Sequence, residues 1–498
     1  MKKFNKNTSI IIFIVLSNIV LKLPFINNPI SDWHSWNQVT TVATARYIVE
    51  DGWASLFNAK VDLFESFKED SNATFAEFPI LSGLIALGFM ITGDEYEWAA
   101  RLISILISTI GVLYFYLLVR DTAGQQVAIY AAMFYLISPM NWYFHRTMMT
   151  DVLMVSFVIG GLYHYYHWIN NQKWSDFIIS AFFTIIASLS KAYALYIGIV
   201  YLCLLLENHG WRKLFNGKNI LYGSLTLTPI ISWIYYCFYQ MSKMNSGNNL
   251  MTDAGLLGPI SIWFELDYWS SLLSSVGDFT LSAFGFLIFI YTFTRHFSKL
   301  KESKIALYWL GAVFFYFLFV REGNREHDYY QMPFAAPVLF ITAIGINQLF
   351  IQIKNGFKPK SCQIFTVLFW SLLIIVSGKY SYTKARLDMS PVVLGKKMKE
   401  LNQGRDYVLV IDPDSLQRNQ AVYYAKSKGW HIRKLPELKT IQEYKAHGVR
   451  YMGINYKSNA LQNAAPHLAL YERNFKKAWQ GSSTDRYKKP KTLFIFKL

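Results

Sequence analysis

The sequence predicts a mainly α, polytopic membrane protein: a bundle of about eleven transmembrane helices with a small α/β domain at its C-terminus. Three observations carry this. Hydrophobic residues make up 53% of the 498-residue chain and charged residues only 16%, against about 25% in soluble domains. The apolar residues gather into runs close to the ~20 residues that cross a hydrocarbon core. Between those runs, Lys/Arg-rich segments alternate with acidic or aromatic ones, and basic segments stay cytoplasmic because translocating them is unfavourable.

The elements follow in order. Lys2, Lys3 and Lys6 precede the first run, 9–25. No convincing small-residue cleavage site follows it, so it reads as a retained first helix with its N-terminus inside. Further spans are expected at 98–119, 127–140, 152–168, 177–190, 192–206, 220–238, 279–294, 305–320, 332–350 and 364–378. The basic segments around Arg212, Lys213 and Lys218, then Arg295, Lys299, Lys301 and Lys304, then Lys354, Lys358 and Lys360 fall on the inside.

The run 79–92, starting at Pro79, is expected to lie at the outer interface. It is short, about 21 Å at the helical rise per residue, and making it a span would reverse the side of every later basic segment. The first outer loop is then 26–97, with further outer segments at 141–151, 240–278 and 321–331. Beyond 380 the apolar runs shorten to strand length at 407–411, 450–454 and 492–496, with helical stretches at 415–428 and 441–447. The expected division is a membrane module, 1–380, and an extracytoplasmic α/β domain, 381–498.

Composition also excludes. The net charge of +17 is dispersed through loops and tail, with no basic, base-stacking motif for nucleic acid. Cys203, Cys237 and Cys362 lie in or beside apolar segments, without zinc or disulfide spacing. No GxGxxG points to a nucleotide.

Chemistry concentrates in a few polar clusters. Asp32-Trp33-His34-Ser35-Trp36-Asn37-Gln38 follows the first span. Asp32 suits the positive end of the helix that follows, as a cap; it also suits a general base that takes a proton from an acceptor hydroxyl. Glu77-Phe78-Pro79 opens the interfacial helix, either as a common helix start or as a second acid in the same cavity. His145-Arg146 to Asp151 is a short polar connection; a guanidinium there matches phosphate oxygens with parallel hydrogen bonds, or pairs with Asp151. Lys191 interrupts a long apolar stretch. An ammonium at membrane depth is costly and marks function, unless it snorkels to the interface. His327-Asp328-Tyr329-Tyr330 lies just before a span and suggests the polar wall of a cavity, or a solvated loop. Asp32, His34, His327 and Asp328 include metal-ligand types, but no close-spaced ligand pair backs a metal site.

In this order the pieces resemble the polyprenyl-phosphate-sugar-dependent glycosyltransferases of family 39, which include protein O-mannosyltransferases and aminoarabinose transferases and share the GT-C fold. Asp32 matches the first acid of the family's outer-loop motif, Ala45-Arg46-Tyr47 is similar to its Ala-Arg-Tyr, and Asp32–Gln38 resembles the Asp-Trp-His-Ser-Trp-Arg-Gln of a bacterial subgroup with Asn37 for Arg. Glu77-Phe78-Pro79 stands where the family has Glu-Lys-Pro, so that lysine is missing. His145-Arg146 to Asp151, Lys191, and His327-Asp328-Tyr329-Tyr330-Gln331 match later motifs.

The resemblance implies transfer of a sugar from a polyprenyl phosphate to an acceptor hydroxyl on a glycan, lipid or protein, at the outer face of the cell's inner membrane. Asp32 would act as base, and Lys191 and Arg146 would bind the donor phosphate. His34, Trp36, Arg46, Glu77, Asp151, His327, Asp328, Tyr329 and Tyr330 would line the pocket. No metal or other cofactor is required, and nucleic acid is not an expected partner. The rival from another class is a transporter or flippase of lipid-linked sugar. Against it, polar residues collect on one face, and no inverted repeat is visible.

Overall fold

Every apolar run expected to cross the bilayer is helical in the computed structural model, which describes residues 6–67, 72–243, 257–402, 406–413 and 419–498. The helices are Lys6–Lys22, Glu97–Ala123, Gln125–Ile137, Thr150–Asn171, Trp174–Ser190, Ile197–His209, Gly217–Lys243, Ser282–Arg295, Lys304–Phe319, Met332–Gly356 and Pro359–Lys384. Lys2, Lys3 and the middle of the 240–278 segment lie outside the described residues. Among the described residues, six helices can cross a membrane by length and composition, or seven if Leu266–Thr280 and Ser282–Arg295, bent by 110°, form one span. The expected count of about eleven is therefore not confirmed: Gln125–Ile137, Trp174–Ser190 and Lys304–Phe319 are apolar but short. The chain is nonetheless a multi-pass membrane protein. Its long helices leave Phe13, Leu16, Val20, Ile231, Tyr235, Ile364, Val367 and Ile375 exposed, as lipid-facing side chains are in a membrane span.

The chain forms two compact units: Met1–Pro24, Ala76–Ile80 and Arg101–Thr383, and Phe25–Phe75, Leu81–Ala100 and Lys384–Leu498. Most of the first outer loop thus packs with the C-terminal residues. The run after Pro79 becomes a short helix, Ile80–Thr92, of 13 residues.

In the first unit, local sequence sets the breaks that place polar residues. Gly124, with φ +89°, separates Glu97–Ala123 from Gln125–Ile137. Ser138-Pro139 ends the latter and starts a short helix, Pro139–Phe144, with proline in its first turn. The connection carrying His145 and Arg146 follows directly. Lys191 has extended backbone, φ −153°, and separates Trp174–Ser190 from the 3-10 turn Ala192–Tyr196.

The second unit is built on a five-stranded sheet of β1 (Tyr407–Ile411), β2 (Gly429–Ile432), β3 (Val449–Lys457), β4 (Lys476–Thr484) and β5 (Pro490–Lys497), in the order β2-β1-β3-β5-β4. β1 is parallel to β2 and β3, and β5 is antiparallel to β3 and β4. Strand side chains alternate between faces. Leu409, Ile411, Phe494 and Phe496 therefore enter one core with Trp430, Met452 and Tyr471. Val408, Val410, Leu493 and Ile495 enter the other with Leu394, Met398 and Val422. The outer loop covers the β2 edge: Phe64 N–H donates to the Gly429 carbonyl (2.8 Å), and Gly429 N–H to that of Asp62 (3.0 Å). Covering an edge in this way blocks unwanted strand pairing.

The three strands read from sequence are present, two of them longer than expected. β2 and β4 were not foreseen, because β2 has only four residues and β4 is a polar edge strand without an apolar period. The helix expected at 441–447 is Leu438–Ala446; of the one expected at 415–428, residues 415–418 lie outside the described residues and Gln420–Tyr424 is helical. Met389–Leu401 and Leu461–Asn474 are additional helices.

Candidate active site

In the first unit, Ala76–Ile80 is stitched to the helices around it. Phe78 N–H donates to the Leu189 carbonyl (3.0 Å), and the Trp233 indole N–H to that of Ala76 (3.2 Å). The Phe78 and Trp233 rings meet edge to face, with centroids 4.9 Å apart. This brings Glu77 to Lys191, and the two form an ion pair. Asp151, in the first turn of Thr150–Asn171, puts its Oδ2 3.7 Å from the same ammonium. Asp151 is fully buried and Lys191 nearly so, whereas the Glu77 side chain is 30% exposed.

Two hydroxyls complete the carboxylates' contacts: Tyr193 donates to Asp151 Oδ1 (2.5 Å), and Thr150 to Glu77 Oε2 (2.7 Å). Around the ammonium stand the rings of Tyr330, Tyr329 and Tyr193, their centroids 5.6, 5.9 and 6.0 Å from Nζ. His327 stacks on Tyr329 at 5.1 Å, and Tyr316 donates to the Tyr330 carbonyl (2.8 Å). Asp328 opens the 3-10 turn Asp328–Gln331 that carries the two tyrosines.

This arrangement suits anion chemistry. A desolvated ammonium ringed by aromatic faces is a strong partner for a phosphate, and its two carboxylates hold it in place without one. Arg146 is buried, with its guanidinium carbon 4.8 Å from the centre of the Tyr143 ring. Its neighbour His145 is equally buried, and neither ring nitrogen has a hydrogen-bond partner among the described residues. Burial pushes the His145 imidazole well below its usual range, and the nearby positive charge of Lys22 adds to this.

In the second unit, Asp32 is fully buried and its Oδ1 accepts from the Gln38 amide (2.8 Å). His34 takes a left-handed backbone, φ +54°, immediately before the helix Ser35–Asp51. This is an uncommon conformation for a residue with a Cβ. Trp36 lies in the first turn of that helix, its ring partly buried. Arg46 lies about three turns further on. It pairs with Asp62, lies 3.6 Å from Glu95, and sits between the rings of Tyr47 and Tyr423 at 5.7 and 5.6 Å. Burial holds the Asp62 carboxyl above its usual range, against the pull of Arg46. Arg46 is thus placed in a structural ion-pair network.

Sequence reasoning singled out Glu77, Asp151, Lys191, Tyr329, Tyr330 and His327, which the first unit brings together. It passed over Gln38, Thr150, Tyr193 and Tyr316. Gln38 and Thr150 stand within the motifs, but their types have too many ordinary roles to be selected. Among the described residues, no group of three or more His, Cys, Asp or Glu side chains forms a metal-ligand cluster.

The architecture is of the GT-C membrane type. Residues 77–236, which include Glu77, Arg146, Asp151 and Lys191, match the family described as dolichyl-phosphate-mannose-protein mannosyltransferase. The chain superposes on ArnT from Cupriavidus metallidurans bound to undecaprenyl phosphate with a TM-score of 0.60 and 12% identity, covering 98% of each chain. It superposes on the oligosaccharyltransferase AglB from Archaeoglobus fulgidus, in complex with an inhibitory peptide and a dolichol-phosphate, with a TM-score of 0.56 and 12% identity over 94% of this chain and 72% of that one. For the arabinofuranosyltransferase AftD from Mycobacteria the TM-score is 0.53 at 11% identity, over 97% and 40%. No curated protein matches by sequence. Both the family match and the shared fold bear out the resemblance to the family-39 glycosyltransferases.

Proposed function

We propose that this chain transfers a sugar from a polyprenyl-phosphate donor to an acceptor hydroxyl on the extracytoplasmic face of the inner membrane, with its N-terminus inside and residues 381–498 outside. The acceptor oxygen attacks the anomeric carbon, the bond from that carbon to the phosphate oxygen breaks, and the lipid phosphate leaves with the electron pair. Asp32 takes the hydroxyl proton. A carboxylate already fixed by the Gln38 amide is oriented for this before the acceptor arrives.

Lys191 receives the negative charge that develops on the leaving phosphate, with Arg146 as second cation. The observation that carries the reading is the Glu77–Lys191–Asp151 knot: a buried ammonium under a wall of tyrosines, inside the segment that matches the family. Glu77, the more exposed carboxylate, holds the place that the phosphate would take. His327, Tyr329 and Tyr330 form the wall against which the sugar-phosphate end would lie. The sidedness rests on the basic segments being cytoplasmic.

The test uses purified full-length protein in detergent with radiolabelled polyprenyl-phosphate-linked sugars extracted from membranes. Cleavage of the sugar–phosphate bond, or transfer to an added envelope fraction, is expected. Movement of intact lipid-linked sugar across liposomes, with no cleavage, would establish the flippase instead.

A further inference from the structure

In the second unit the parallel strands run in the order β2-β1-β3, so the winding reverses between β1 and β3. In doubly wound sheets the carboxyl edge at such a reversal is where ligands sit. Here that edge carries Asp412 and Asn455, both buried. The Asn455 amide donates to Asp412 Oδ2 (2.7 Å) and to the Ser390 hydroxyl (2.9 Å). Ser390 in turn donates to Asp388 Oδ1 (2.6 Å). Asp388 N–H then donates to the carbonyl of Ser31 (2.9 Å), the residue before Asp32.

A second hold comes from the residues that open the helix Gln420–Tyr424. The Asn419 amide donates to the Trp36 carbonyl (2.9 Å) and the Thr40 hydroxyl (3.1 Å), and the Gln420 amide to the Ser35 hydroxyl (2.7 Å). A third comes from the flanks. Trp33 N–H donates to the Lys384 carbonyl (3.2 Å), and the Lys384 ammonium and Arg486 guanidinium lie 4.0 and 5.2 Å from the centre of the Trp33 ring. Residues 31–36 are therefore gripped by the edge of the sheet where a doubly wound domain would hold its ligand.

We infer that the C-terminal α/β domain serves as the seat of the Asp32 loop, with Asn419 and Gln420 as its positioning residues. The inference rests on the reading of Asp32 as general base. The left-handed His34 makes an external hold necessary, because a strained residue persists only where its surroundings fix it. A displacement of about 1 Å at a catalytic group costs on the order of 100-fold in rate. This gives the C-terminal domain a task in the chemistry, beyond any part in choosing the acceptor.

The test compares full-length Asn419→Ala, Gln420→Ala and Ser35→Ala, and the Ser35→Ala/Gln420→Ala pair, in detergent with the extracted lipid-linked sugars. Expected are faster amide exchange in 31–40, kcat lowered at least tenfold, and unchanged donor KM and undecaprenyl phosphate affinity. The Ser35/Gln420 pair should lose less than the sum of the two single losses, since both changes remove a shared hydrogen bond. The two alanine variants at 419 and 420 probe separate bonds, so either one tests the idea if the other fails to fold. Additive losses, unchanged exchange, or a raised KM with normal kcat would overturn the positioning role. A wild-type protein that cleaves no donor would instead sink the transferase reading itself.

Discussion

Glu77→Gln isolates the role of the lysine knot. The change removes one of two negative charges beside Lys191 and keeps the shape of the side chain. The amide oxygen still accepts from Thr150, and Asp151 still faces the ammonium at 3.7 Å. Two unit charges ~4 Å apart interact by about 4 kcal/mol near a protein surface. Because Glu77 is 30% exposed, solvent screening reduces what its removal releases to about 1–2 kcal/mol. If the donor phosphate must displace Glu77 from Lys191, the variant should bind undecaprenyl phosphate roughly 5–30-fold more tightly, at 1.4 kcal/mol per factor of ten. Isothermal titration of purified full-length protein with undecaprenyl phosphate measures this directly. Equal or weaker binding would refute competition between Glu77 and phosphate, and with it Lys191 as the donor-phosphate cation.

Three further outcomes are expected. Asp32→Asn should abolish sugar transfer while undecaprenyl phosphate affinity changes by less than about twofold, since only the proton acceptor is lost; wild-type turnover would remove Asp32 from the mechanism. Lys191→Met should lower stability by about 3–5 kcal/mol, because it strands the buried Asp151 carboxylate. Adding Asp151→Asn should restore most of that stability but not phosphate binding; recovered binding in titration would mean the lysine is structural only. Arg46→Ala should destabilise the protein by a similar ~3–5 kcal/mol, seen as a lower melting temperature, because Asp62 is left buried without its guanidinium; an unchanged melting temperature would show that the pair contributes nothing.

What could be read from the sequence was set by whether a residue announces itself locally. Lys191 does: an ammonium inside an apolar run is costly enough to stand out with no partner in view. Its pairing with Glu77 does not, because that contact depends on the hydrogen bonds from Phe78 to Leu189 and from Trp233 to Ala76. The resemblance puts Arg46 in the pocket through its Ala-Arg-Tyr setting, and its ion pairs are a separate matter. Asp62 and Glu95, which capture it, follow at spacings that no helix or strand period would link to it. The strands β1, β3 and β5 carry apolar runs and were legible, whereas β4, at the sheet edge, packs only Ala478 and Trp479 on a core and has no apolar run. Helix positions were readable from hydropathy; span count was not, since several apolar helices are too short to decide by length.

Where the resemblance read from the sequence implies a lysine, this chain has Phe78, whose ring packs on Trp233. Position 78 therefore anchors the segment mechanically and adds no charge. Glu77 and Asp151 then share one ammonium, so the knot has no surplus cation to offer an arriving phosphate. If the donor phosphate binds at Lys191, its binding is an exchange of one anion for another. An exchange leaves the number of ion pairs unchanged, so affinity for undecaprenyl phosphate should depend weakly on salt. In Glu77→Gln the phosphate makes a new ion pair, and affinity should fall more steeply as screening increases. Titrations of both proteins between 50 and 500 mM salt, roughly the range over which the Debye length shrinks from above to below ~10 Å, compare the two slopes. Parallel slopes would mean that Glu77 stays on Lys191 throughout, and that the donor phosphate is held by other groups.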